Sequence, residues 1–140
     1  ADISGKISKR EKLGFGNAAA QGLPFYGGSM KYKLHFAKFP KDGQRAILHL
    51  ADEENVACCT VGNKTVAFPP YTCDVTDELK NDGTLDLTVY LTRRNMFGPL
   101  HGIARKVDVV GPDDFLRGDS GEYVLLNAGL TNKPYITIEE

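Results

Sequence analysis

Hydrophobic and polar residues alternate in several short runs. In residues 31–36, Tyr32, Leu34 and Phe36 share one face, while Lys31, Lys33 and His35 share the other. A period of two marks a strand with one buried face. The clearest run is 84–91: Leu85, Leu87, Val89 and Leu91 point one way, and Thr84, Asp86, Thr88 and Tyr90 the other. Residues 45–51, with Ala46, Leu48 and Leu50 on one side, predict another strand, and 56–61 a further one. Gly62-Asn63 then separates two Val/Thr-rich runs and predicts a hairpin into 64–68. Pro69-Pro70 stops the pairing, and 71–75 resumes an extended run. Residues 106–110, 122–126 and 135–138 complete the set.

The remaining segments are punctuation. Residues 76–79 (Thr-Asp-Glu-Leu) predict one turn of helix, with Thr76 or Asp74 as its N-cap and Asn81-Asp82-Gly83 as its end. There the side chains of Asp74, Thr76 and Asp77 serve the fold by accepting orphan amides, and Leu79 plugs the end of the core. Residues 1–28 are broken by Gly14, Gly16, Gly22, Pro24, Gly27 and Gly28 and read as an entry segment packing on the main body. The sandwich proper then spans 29–140, within a single domain. No amphipathic helix of adequate length lies between strands, which excludes parallel βαβ units. Eight or so short strands with frequent turn signals predict an all-β protein, an antiparallel sandwich or barrel.

Composition changes this picture little. At 140 residues, 41% hydrophobic and 25% charged, the chain is long enough for a core and unlike a disordered sequence. Seventeen basic residues against 18 acidic ones give a net charge of -1. That speaks against a nucleic-acid or membrane partner. The chain starts at Ala1 without a leader-like segment. We therefore expect a module of a longer chain, whose signal peptide and catalytic residues lie elsewhere. Cys58, Cys59 and Cys73 are an odd set and build no closed disulfide framework. They read as small buried hydrophobes, with Cys58 and Cys59 on opposite faces of a strand.

One stretch carries a family likeness. Val61-Gly62-Asn63-Lys64 is followed by Pro70-Tyr71-Thr72-Cys73-Asp74-Val75-Thr76-Asp77 and then by Gly83-Thr84-Leu85-Asp86-Leu87-Thr88-Val89. This order resembles the galactose-binding-like jelly-roll domains of glycoside hydrolase family 2 and its relatives. There a V-N-G-K-type turn precedes an F-D-V-T-D-x-L segment and a G-x-N-x-L-x-V-x-V strand. Gly62-Asn63 stands in inverted order here. The entry Gln21-Gly22-Leu23-Pro24-Phe25-Tyr26-Gly27-Gly28, leading into the strand at Tyr32, and the run from Thr92 to His101 are similar to segments of the C-terminal modules of such enzymes. The resemblance implies a jelly-roll β-sandwich serving as an accessory module of a larger, secreted bacterial glycoside hydrolase. Its implied partners are a carbohydrate ligand and the catalytic domain of the parent chain.

Candidate chemistry concentrates in Arg93, Arg94, Asn95 and His101, around Phe97. They follow the strongest strand, where a loop on a rigid scaffold carries binding groups. Arg and Asn offer planar donor forks to sugar hydroxyls or a uronate. Tyr26, Phe25, Phe68, Tyr71 and Phe97 lie near predicted loops as ring candidates for stacking on a sugar, with Tyr71, after two prolines, first and Phe97 second. The competing role for these residues is packing, or stitching the loop to a neighbouring domain. Asp52, Glu53 and Glu54, like Asp113, Asp114 and Asp119, read as acidic surface turns rather than a glycosidase pair. No catalytic residue and no cofactor are expected. A structural calcium suits this fold, but no EF-hand-like spacing calls for one. The absence of Trp disfavours a flat platform for crystalline polysaccharide.

The expected function is thus that of a non-catalytic carbohydrate-binding module for plant or other polysaccharide chains. The alternative is a structural accessory sandwich that packs on a catalytic domain without binding sugar. An autonomous hydrolase is weakest, because the strand spacing converges no pair of carboxylates.

Overall fold

The computed structural model describes residues 12–92 and 126–140. Two antiparallel sheets form an all-β sandwich with almost no helix among the described residues. The strands are β1 (Ser29–His35), β2 (Arg45–His49), β3 (Val56–Val61), β4 (Lys64–Val66), β5 (Thr72–Asp74), β6 (Thr84–Leu91) and β7 (Tyr135–Glu139). One sheet has the order β1-β6-β3-β4 and the other the order β5-β2-β7. A 3-10 turn at Ala18–Gln21 is capped by Asn17.

Alternation fixes which side chains enter the core. Leu85, Leu87 and Val89 of β6 are fully buried, as are Ala46 and Leu48 of β2 and Val61 of β3. Tyr32 pairs with Leu87 and Leu34 with Leu85, so the half-buried face of β1 extends the same layer. Leu130 and Ile136 close the core from the C-terminal side. Each fully buried Val, Leu or Ile among them stabilises by about 1.5–3 kcal/mol.

The hairpin between β3 and β4 has a two-residue loop, Gly62-Asn63, with Val61 opposite Lys64. Gly62 takes a positive φ of 57°. Such a φ at the first loop position is the arrangement that favours Gly there. In β3, Val56 faces Leu91 and Cys58 faces Tyr90, so Ala57 is the extra residue of a bulge. Past it, Cys59 turns into the core beside Val89, and Cys58 lies half-buried opposite Tyr90. Burial pushes the Cys59 thiol up to about 11, with a smaller push from Cys58.

Two local expectations are revised. Residues 76–79 form a turn rather than a turn of helix: Glu78 and Leu79 both donate to the Val75 carbonyl, and the chain then bends back. Lys80 and Gly83 close that return by bonding to Thr84 and Lys80, which delivers the chain into β6. Asp74 does cap the bend, taking the Thr76 amide at 3.0 Å and its hydroxyl at 2.6 Å. These bonds hold its carboxyl below its ordinary range. The run expected to continue to residue 68 ends at Val66. The expected strands at 106–110 and 122–126 lie outside the described residues, apart from Leu126, which is not in a strand.

Candidate functional site

Five consecutive main-chain amides, those of residues 128–132, are each received by a side-chain oxygen from another part of the chain. Asn17 Oδ1 takes Ala128 at 2.9 Å and Asn55 Oδ1 takes Gly129 at 2.8 Å. The Tyr32 hydroxyl takes Leu130 at 2.9 Å, and Glu53 Oε1 takes Thr131 and Asn132 at 2.7 and 2.9 Å. Glu53 is 9% exposed, and its second oxygen accepts the Thr131 hydroxyl at 2.9 Å. The acidic run at 52–54 therefore contains a structural clamp rather than a surface turn alone. Asn55 also accepts the Thr92 amide on its main-chain oxygen at 2.9 Å. These ties set the path of the chain into β7.

β7 carries the second feature. On the outer face of the three-stranded sheet, His49 of β2 lies directly opposite Tyr135 of β7. Their rings stack with centroids 4.7 Å apart and planes 4° from parallel. His49 Nε2 meets the Thr137 hydroxyl at 2.8 Å, which fixes the imidazole. Thr72 of β5 lies opposite His49 on the other side. Tyr135 remains 59% exposed. The result is a ring held in a set orientation, flanked by an imidazole and hydroxyls that donate and accept hydrogen bonds.

The expected site residues fare differently. Tyr71 is half-buried, with a φ of 47°. Its carbonyl accepts the Leu50 amide at 3.0 Å. It lines a pocket with Leu50, Glu53, Val56, Cys59 and Leu130. That pocket holds only about 20 Å³, against the several hundred Å³ of ligand clefts. Tyr26 donates its hydroxyl to the Ser29 carbonyl and so braces the entry to β1. Arg93, Arg94, Asn95, Phe97 and His101 lie outside the described residues. So do Asp113, Asp114 and Asp119.

Sequence reading missed His49, Tyr135 and Thr137. The alternation in 45–51 that places Leu48 inward places His49 outward, and that signal was present. Its pairing with a residue at the far end of the chain was not. No group of three His, Cys, Asp or Glu residues able to hold a metal occurs among the described residues. No helix there is long and apolar enough to cross a membrane. Compared with known families, curated proteins and solved structures, the chain matches no family model, no curated protein and no solved structure.

Proposed function

We propose that the chain is a non-catalytic carbohydrate-binding module of a bacterial glycoside hydrolase. The observation that carries this reading is the exposed Tyr135 ring, locked against His49 beside the Thr137 hydroxyl. An exposed, immobilised ring with hydrogen-bonding groups at its margin suits a sugar, which offers an apolar C–H face and a rim of hydroxyls. The antiparallel sandwich and the motif order at 61–91 support the same assignment. Affinity electrophoresis and calorimetry against a broad panel of polysaccharides test it. Retardation by at least one polymer is expected, and no binding to any member rejects the reading.

A second reading is favoured by Phe68, which is 80% exposed at the Pro69-Pro70 corner. So large an exposed apolar side chain suits a protein contact. On this reading the module packs against the parent enzyme's catalytic domain. It predicts that the chain binds no polysaccharide and that Phe68→Ala weakens that docking.

A further inference from the structure

We infer that the outer face of the three-stranded sheet, centred on Tyr135, docks the interior of a neutral pyranose chain. This rests on the carbohydrate-binding reading above and adds the place, the charge class and the mode of binding.

The place follows from the rings. Stacking on His49 occupies one face of Tyr135, and the 59% exposure of the residue leaves the rest of its ring open to a ligand. An aromatic face is electron-rich and attracts the polarised C–H bonds of a sugar ring. The hydroxyl-bearing residues Thr137 and Thr72 stand on the same side of the sheet, alternating with the inward-facing Ile136 and Cys73. Because His49 is tied to Thr137 across the sheet, the platform is preorganised, and little rotamer freedom is lost on binding.

The charge class follows from the ionised groups. This sheet presents Arg45, Asp74 and Glu139 on its outer face, with Lys133 just before β7 and Glu140 just after it. On the face itself two carboxylates thus stand against one cation. Arg45 is already paired with Glu139 at 3.4 Å. A polyuronate or sulfated chain gains no net attraction from such a surface. A neutral chain meets no penalty.

The mode follows from shape. The pocket at Tyr71, between the sheets, holds about 20 Å³. That volume is too small to enclose a sugar ring or a chain end. A ligand on an open sheet is read from its side, so affinity rises with the number of sugar units laid across the face.

The experiment uses the full 140-residue chain in affinity electrophoresis and calorimetry. The probes are soluble neutral polysaccharides (mixed-linkage glucan, xylan, galactomannan), their mono- to hexasaccharides, and polygalacturonate. Tyr135→Ala should weaken binding to the retarding neutral polymer about tenfold or more, and Tyr135→Phe by no more than about threefold. Phe68→Ala should leave it unchanged, and circular dichroism should show all three variants folded. Hexasaccharide should bind more tightly than monosaccharide. If the wild-type chain binds and Tyr135→Ala binds equally well, this docking face is wrong while the carbohydrate-binding reading stands. Preference for polygalacturonate, or equal affinity for mono- and hexasaccharide, overturns the neutral or the chain-interior assignment. Wild-type binding to nothing rejects both the inference and the reading beneath it.

Discussion

Glu53 grips Thr131 twice: one carboxylate oxygen takes its amide at 2.7 Å and the other its hydroxyl at 2.9 Å. A nearly buried carboxylate is tolerable only because every bond it lost to water is replaced. Glu53→Ala strands the amides of Thr131 and Asn132 and should cost about 2–4 kcal/mol, measured by urea denaturation. Glu53→Gln keeps the shape and one good acceptor and should cost less. Amide exchange at residues 131 and 132 should accelerate in both variants.

Gly129 is equally constrained. Its φ of 86° is left-handed, and a Cβ there would overlap the Tyr32 hydroxyl and crowd Met30 Sδ. Gly129→Ala therefore both strains the backbone and pushes Tyr32 off the Leu130 amide. A loss of about 2–4 kcal/mol is expected. Tyr32→Phe, which removes the hydroxyl that accepts from Leu130 and donates to Met30 Sδ, should lose about 1–2 kcal/mol. In the double variant the losses should be less than additive, because both disturb one bond.

The Asp74 carboxyl is held below its ordinary range by hydrogen bonds from the Thr76 hydroxyl and amide. A carboxylate with a lowered folded pKa contributes stability above its unfolded value, and that contribution disappears as the pH falls through the folded value. The wild-type chain should thus lose stability as the pH drops below about 4, the unfolded Asp range. Asp74→Asn should flatten that acid limb while lowering stability at neutral pH. Denaturation midpoints measured from pH 7 to pH 2.5 check both.

Cys59 is buried and its thiol is pushed up to about 11. It stays protonated at pH 8, where a thiolate is needed for attack. A disulfide-exchange reagent at that pH should leave Cys59 unmodified in the folded chain. Its labelling should appear together with unfolding as urea is raised, read by mass spectrometry of the modified peptides.

Leu87→Ala removes a side chain that is 1% exposed at the centre of the larger sheet, opposite Tyr32. The transfer loss and the cavity together should cost about 2–5 kcal/mol in thermal or urea unfolding.

How much of this was written in the sequence depends on the range of each interaction. Leu85, Leu87 and Val89 declare their buried face within one strand, and Gly62-Asn63 declares its turn in two residues. The limits of β3 and β6 and the antiparallel, all-β class followed from such local signals. The helix expected at 76–79 failed because Asp74 and Thr76 are good caps whatever follows them. The return through Lys80 to Thr84 then left no length for a helix. Glu53 looked like any acidic surface residue, since its partners Thr131 and Asn132 lie 78 and 79 positions away. His49 and Thr137 are 88 positions apart. Nothing in either neighbourhood announces a platform that only sheet register creates.

The five tied amides also bear on the order in which the molecule is made. Their acceptors lie 111, 74, 98, 78 and 79 positions earlier in the chain. β2, the middle strand of its sheet, waits for β7, about 90 residues later in the chain. On the ribosome, β2 thus has a pairing edge without its native neighbour until residues 135–139 emerge, and the buried acceptors of Glu53 and Asn55 wait for residues 129–132. Native closure is deferred until residues 128–139 have been made, when one short stretch supplies a strand and five amides at once.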